Sequence, residues 1–141
     1  MNEIQGIILT TIVCGVAAYV ITKHIIDPII EQKKLIGEIE DSLMFYANIY
    51  CNLGLQSKEK LDEASKKFRQ LGTILQSKTH LIPLYNFFSK IRFVTKTSEI
   101  EKASKELIGL SNSIYTYSKD DPITNSDRAD RIKKFLNLKI K

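Results

Sequence analysis

Side chains that could support catalysis or bind a metal are few in this sequence and widely spaced. The two histidines, His24 and His80, lie 56 positions apart, so they do not form one local metal-binding motif. The two cysteines, Cys14 and Cys51, are also isolated, and they predict neither a paired zinc motif nor a disulfide framework. The chain has no glycine-rich phosphate loop and no nucleophile elbow. The sequence therefore predicts no catalytic, cofactor-binding or metal site, and we expect that the protein is not an enzyme.

Three carboxylates on one predicted helix are the nearest approach to an acid–base pair. These are Glu38, Glu40 and Asp41. On a helix, Glu38 and Asp41 would share a face as like-charged neighbours three positions apart. This arrangement favours a solvated face, able to attract a basic partner, over a catalytic one.

A long stretch without acids is the most distinctive charge pattern. Between Ala64 and Ser98 there is no Asp or Glu, and within this stretch residues 84–93 interleave aromatic and cationic side chains. Three interpretations are open: a structural connector, a membrane-surface contact, or nucleic-acid binding, for which no module is recognisable. The cationic residues of the stretch are Lys66, Lys67, Arg69, Lys78, Lys90, Arg92 and Lys96.

If this segment contacts lipid, its cations and aromatic rings have separate roles. We expect Lys78, Lys90, Arg92 and Lys96 to lie near anionic headgroups, and Phe87 or Phe88 to enter the membrane interface.

The element that decides the class of the chain is an uncharged run from Ile4 to Thr22. As a helix it would span about 28 Å, close to the hydrocarbon thickness of a bilayer. A cleaved signal peptide is the rival interpretation, but no Lys or Arg precedes this run, which is longer than a typical signal core. We therefore expect residues 1–26 to form an uncleaved transmembrane anchor.

The charges that flank the run predict its orientation. Lys23, Lys33 and Lys34 follow it, and cationic flanks stay in the cytoplasm. We expect a single-pass membrane protein, with its N-terminus outside and its main domain cytoplasmic. Within the run, Thr11, Gly15 and Ala18 share a ridge of small side chains that could pack against another helix, which leaves a homo-oligomer open.

The remaining residues predict a small helical domain. Asp27-Pro28 either starts a new helix or kinks a continuous one. The fold class is all-α: one transmembrane helix, then an antiparallel bundle of three long helices and one short helix over residues 27–138, with a basic tail at 139–141. The predicted helices run from Pro28 to about Leu53, from Ser57 to before Pro83, from Ser98 to about Tyr117, and from Asp127 to about Leu138.

Helix boundaries and buried faces follow from the same pattern. Ser98 and Glu101 predict a capping box, and Asp120-Asp121-Pro122 predicts a turn. Leu107 is predicted to be buried, whereas Ser111 is predicted to lie at the edge of the apolar face. The apolar stripes at three- and four-residue spacing include Ile39, Leu43, Tyr46, Phe68, Leu71, Leu75, Ile100, Ala103, Leu107, Leu110, Ala129 and Ile132.

Several segments resemble a set of small single-span bacterial proteins of uncharacterised function. The resemblance covers most of residues 23–117. It implies a membrane-tethered helical domain in a bacterium, and hence a location in the bacterial inner membrane, without transferring an active site. It rests on Asp27-Pro28 with Glu31-Gln32, Ile36-Gly37-Glu38, Tyr46-Ala47-Asn48, Ile82-Pro83 with Tyr85, and Leu107-Ile108-Gly109-Leu110-Ser111-Asn112.

Together these features predict a membrane-anchored helical interaction module. Its expected partners are membrane lipid, through the anchor, and a cytoplasmic or membrane protein of unknown identity. The alternative is a small membrane-acting effector, toxin-like or defence-associated, that oligomerises in the bilayer.

Overall fold

The computed structural model describes residues 2–115 and 124–139, apart from the side chain of Leu53. Within these residues every regular element is helical. The elements are α1 (Glu3–Ile21), a π-helical turn (Thr22–Ile26), α2 (Asp27–Phe45), α3 (Ala47–Cys51), a 3₁₀ turn (Leu53–Leu55), α4 (Lys58–His80), α5 (Tyr85–Lys90), α6 (Thr97–Ser113) and α7 (Asn125–Leu136).

The first three elements form one uninterrupted helix of 43 residues, Glu3–Phe45. By length and composition its N-terminal part is apolar enough to cross a membrane, and none of that apolar stretch is buried in the protein. Asp27 has helical backbone angles, and its N–H bonds to the carbonyl of Thr22, so it is not an N-cap. The π-helical turn ends at Ile26, two residues before Pro28, which cannot donate the usual helical hydrogen bond.

The main core lies among α2, α4, α6 and α7, and its residues are the ones that the apolar spacing predicts. Phe68, Ile39, Leu107 and Ile132 are fully buried in it. Helices α4 and α6 approach closely at Gly72 of α4, whose carbonyl accepts a hydrogen bond from the Ser104 hydroxyl of α6 over 2.7 Å. The predicted helical stripes are therefore confirmed as core faces.

The predicted helix from Pro28 to Leu53 is wrong in its extent. The helix begins far upstream of Pro28, and it is interrupted at Tyr46, whose backbone angles (φ −91°, ψ 10°) lie outside the α-helical region. The ring of Tyr46 packs edge-on against Phe68, and its hydroxyl donates a hydrogen bond to Glu63 over 2.8 Å. After the interruption, the short α3 brings Tyr50 against the same Phe68 ring.

Two details of α6 also differ from the sequence prediction. The helix begins at Thr97, so Ser98 lies inside its first turn and forms no capping box with Glu101. Ser111 is completely buried rather than at an edge, and its carbonyl accepts a hydrogen bond from the Ser65 hydroxyl over 2.9 Å.

The last helix, α7, starts two residues earlier than predicted. Its N-cap is Thr124, which exchanges hydrogen bonds with Asp127 in a capping box. These bonds hold the pKa of the Asp127 carboxyl below its usual value. The predicted turn at 120–122, Tyr117 and the last two residues of the basic tail lie outside the described residues.

Candidate membrane-contact surface

A second, smaller core lies beside the first turns that follow the apolar helix. It buries Ile29, Ile82, Tyr85 and Val94, and Ile25 packs against it. At about 1.5 Å per residue, Ile25 and Ile29 lie only about 5 and 10 Å along the helix axis beyond Thr22. Residues 82–94 are thus held close to the end of the segment that could cross a membrane.

A buried polar network fixes this position. Gln32 of α2 is only 1% exposed, and its Nε2 donates hydrogen bonds to the Thr79 hydroxyl over 2.7 Å and to the Tyr85 hydroxyl over 3.1 Å. The Tyr85 hydroxyl in turn donates to the carbonyl of Thr95 over 2.5 Å. Burial raises the pKa of Tyr85, so the hydroxyl stays protonated as a donor. The network joins α2, α4, α5 and the connection to α6.

The outer side of the same segment is apolar and exposed. We call the side chains of Leu81, Leu84, Phe87, Ile91 and Phe93 the apolar patch; each of them is more than half exposed. Leu84 is 68% exposed and has a left-handed backbone (φ 53°), a conformation that costs a branched side chain about 1–2 kcal/mol. Clustered exposed apolar residues of this kind mark a contact with another molecule or with lipid.

The predicted lipid-contact residues divide into two groups in the structure. Lys90, Arg92 and Lys96 are exposed, and none of them forms an ion pair with a carboxylate among the described residues. Lys78, in contrast, forms an ion pair with Glu31 of α2, with 2.5 Å between Nζ and Oε2. This hydrogen bond holds the pKa of the Glu31 carboxyl below its usual value. Lys78 is therefore already paired with a carboxylate at the protein surface.

The two candidate aromatic residues also differ. Phe87 is 58% exposed and belongs to the apolar patch, whereas Phe88 is half-buried and packs against the second core. Their rings contact each other edge-on, with centroids 5.6 Å apart. Of the two, Phe87 is the one that is accessible to lipid.

Sequence reasoning missed one cation of this surface. Lys33 of α2 places its Nζ 4.2 Å from the centre of the Phe93 ring, a cation–π contact that joins α2 to the apolar patch. Nothing in the local pattern links these residues, since they are 60 positions apart in the sequence. Three other members of the patch, Leu81, Leu84 and Ile91, do not fit the apolar spacing of the predicted helices. This misfit was the sign in the sequence that their side chains could be exposed.

The remaining candidates are exposed and lie apart from this surface. Thr11, Gly15 and Ala18 lie on α1, where the Thr11 hydroxyl donates to the carbonyl of Ile7 over 2.9 Å. Both cysteines are free thiols. No group of three or more His, Cys, Asp or Glu side chains within the described ranges is arranged to hold a metal ion.

No family model matches this chain, and no significant similarity connects it to a curated protein or to a solved structure.

Proposed function

We propose that this protein is a non-enzymatic, membrane-anchored helical interaction module, and that its domain lies against an anionic membrane surface. Residues 1–26 would cross the membrane, and the apolar patch would contact lipid beside that crossing. The observation that carries the proposal is the second core, which packs the patch-bearing segment against Ile25 and Ile29.

The energetics of such a contact are favourable for both kinds of side chain. Exposed apolar residues gain free energy when they leave water, at about 25 cal/mol per Å². Each cation near an anionic surface contributes about 1 kcal/mol, within a screening distance of about 8 Å at physiological salt. Lys90, Arg92 and Lys96 are available for this role because no described carboxylate neutralises them. Because the anchor already keeps the patch and its cations close to the membrane, a modest attraction is sufficient to hold them against the lipid.

We propose further that the domain is an antiparallel bundle. The contacts between α2 and α4 support this, because Glu31 bonds to Lys78, Glu38 to Lys67 at 2.6 Å, and Tyr46 to Glu63. As the residue number rises along α2, it falls along α4. In this arrangement the exposed Phe45 lies at the end of the domain away from the anchor, where a protein partner can reach it.

The proposed orientation follows from Lys23, Lys33 and Lys34, which lie after the apolar helix. The resemblance to single-span bacterial proteins adds the inner membrane as the location. A reporter fused after Lys141 tests this orientation in bacterial cells. We expect activity only from a cytoplasmic reporter, and activity from a periplasmic reporter at the same position would overturn it.

Accessibility of single cysteines tests the lipid contact. In the full chain with both native cysteines replaced (Cys14→Ala, Cys51→Ser), Leu84→Cys probes the patch and Leu55→Cys, 85% exposed at the other end of α4, is the control. The probe is a membrane-impermeant maleimide added to vesicles with the domain outside. We expect phosphatidylglycerol, compared with phosphatidylcholine alone, to slow labelling at position 84 but not at position 55, and added salt to reverse the effect. Equal labelling at position 84 in both lipids would refute the contact.

A second candidate, the membrane-acting effector, is favoured by the same apolar patch, since exposed Leu84 and Phe87 could also enter and perturb a bilayer. Expression of the full chain in cells with a potential-sensitive dye separates the two functions. The interaction module should leave the membrane potential unchanged. Depolarisation that the Leu84→Ser, Phe87→Ser double variant abolishes would instead establish the effector.

A further inference from the structure

A basic cavity of about 390 Å³ lies beside the apolar patch, between α2, the connection from α5 to α6, and the end of α7. Its lining includes three cations and no carboxylate. The polar lining residues are Lys33, Ser89, Arg92, Thr95, Lys96 and Asn137, together with the amide of Gln32.

The cations of this cavity lack acidic partners. Arg92, Lys96 and Lys33 form no ion pair with the carboxylates that the structure describes, and the Lys33 ammonium lies over the face of Phe93. The acids nearest in sequence are engaged elsewhere, since Glu31 bonds to Lys78 and Glu99 to Lys102. Three positive charges around one cavity repel each other, so an anion that enters it gains their combined attraction.

We infer that this cavity binds an anionic phosphate group. A guanidinium offers two parallel donors to phosphate oxygens, and ammonium groups add charge without a fixed direction. The hydroxyls of Ser89 and Thr95 and the side chain of Asn137 can supply the further donors that a tetrahedral oxyanion accepts. Phe93, which lines the cavity and also belongs to the apolar patch, would lie against the apolar part of a bound lipid.

Two sources could supply this phosphate: the headgroup of an anionic lipid, or a free phosphate compound. The lipid source deepens the proposed function and rests on it, whereas the free source does not require membrane contact. The experiment therefore needs a probe for each source.

Arg92 offers an informative test, because its backbone is left-handed (φ 60°). Glycine adopts this conformation without strain, so Arg92→Gly removes the guanidinium and also relieves the strain in the backbone. Lys96→Gln is a second variant, and Lys105→Gln, an exposed lysine of α6 outside the cavity lining, is the matched control. Thermal unfolding of each variant identifies any loss of fold.

Binding is measured by calorimetry on the full chain in a neutral detergent. The probes are inorganic phosphate and dihexanoyl phosphatidic acid, with zwitterionic dihexanoyl phosphatidylcholine as the control ligand. We expect phosphatidic acid to bind, and Arg92→Gly and Lys96→Gln each to weaken binding by at least about tenfold, the usual loss for one charged hydrogen bond. Lys105→Gln should bind like the native chain.

Comparison of the two probes assigns the source. Inorganic phosphate that binds as tightly as phosphatidic acid supports a free phosphate compound as the source, and phosphatidic acid that binds more tightly than inorganic phosphate supports a lipid headgroup. In either case excess inorganic phosphate should displace the lipid, and lipid binding that it cannot displace overturns the inference. Binding of neither probe, or unchanged binding by Arg92→Gly, overturns the inference. A failure of the proposed membrane contact alone would give a different result. In that case Leu84→Cys would be labelled equally fast in both lipids, while phosphate binding would be unchanged.

Discussion

Gln32 of α2 donates a hydrogen bond to the hydroxyl of Thr79, at the C-terminal end of α4, over 2.7 Å. Both side chains are buried, and the Thr79 hydroxyl itself donates a hydrogen bond to the carbonyl of Leu75 over 2.8 Å. Through the same amide, Gln32 reaches Tyr85. A single side chain on the long helix thus holds the segment that carries the apolar patch.

Replacement of Gln32 should loosen that segment. Gln32→Ala removes two buried hydrogen bonds and leaves a void, so we expect a loss of about 2–4 kcal/mol in the free energy of unfolding. Gln76→Ala, on the exposed face of α4, is the control and should change stability by less than about 0.5 kcal/mol. Denaturant unfolding of the full chain in detergent measures both. Similar small losses for the two variants would show that the network does not hold the fold together.

The hydrogen bonds of Gln32 are an example of contacts that the sequence could not predict. In the sequence, Gln32 is an interruption of an apolar stripe, and its partners lie 47 and 53 positions away. Helical spacing reveals which face is buried, but it carries no information about which polar side chains meet across the core. The pairing of Lys33 with Phe93 was invisible for the same reason.

The stripes themselves were predictable because each helix buries one side. Phe68, Leu75 and Leu110 are buried as their spacing requires. The ends of the helices were harder to predict, because several nearby residues can serve as caps. Ser98 could cap a helix, yet α6 begins one residue before it. Thr124, which was not predicted as a cap, is the N-cap of α7. The left-handed backbone of Leu84 could not be derived, since no glycine marks that turn.

The close approach of α4 and α6 should make Gly72 intolerant of a methyl group. A Cβ there would meet the Ser104 carbonyl oxygen at 3.1 Å and the Leu107 Cβ at 3.2 Å, and neither atom can rotate away. We expect Gly72→Ala to destabilise the protein by about 1–3 kcal/mol. Gly37 has nothing within 4 Å of an added Cβ, so Gly37→Ala should stabilise its helix by about 0.5–1 kcal/mol. A gain in melting temperature for both would contradict the close packing.

Truncation of the α6 core face provides a third test. Leu107 is fully buried, so Leu107→Ala should cost about 2–5 kcal/mol. Lys105→Ala, on the exposed face of the same helix, should have little effect in the same unfolding experiment. Ser111 is unsuitable as a mild control, because its hydroxyl lies 3.0 Å from that of Ser65 in the core. Equal effects at positions 107 and 105 would mean that α6 is not packed through this face.

Leu84 should be replaceable without loss of stability. Its side chain is largely exposed, so Leu84→Gly gives up little packing while it relieves a left-handed backbone that costs about 1–2 kcal/mol. We expect the free energy of unfolding to rise or stay constant, and Leu84→Ala, which keeps the strain, to bring no gain. A marked loss of stability in Leu84→Gly would show that Leu84 contributes to the fold instead of being free for lipid.

Phe87 lies at the membrane in the proposed function, and tryptophan fluorescence measures this contact. The chain contains no tryptophan, so Phe87→Trp introduces a single probe into the apolar patch. Phe45→Trp, at a site 73% exposed at the far end of α2, is the matched control. The full chain is reconstituted in phosphatidylglycerol-containing vesicles whose lipids carry brominated acyl chains, which quench a tryptophan only at close range. We expect blue-shifted, strongly quenched emission from Phe87→Trp and unquenched emission from Phe45→Trp, whereas equally unquenched emission from both would refute the membrane contact.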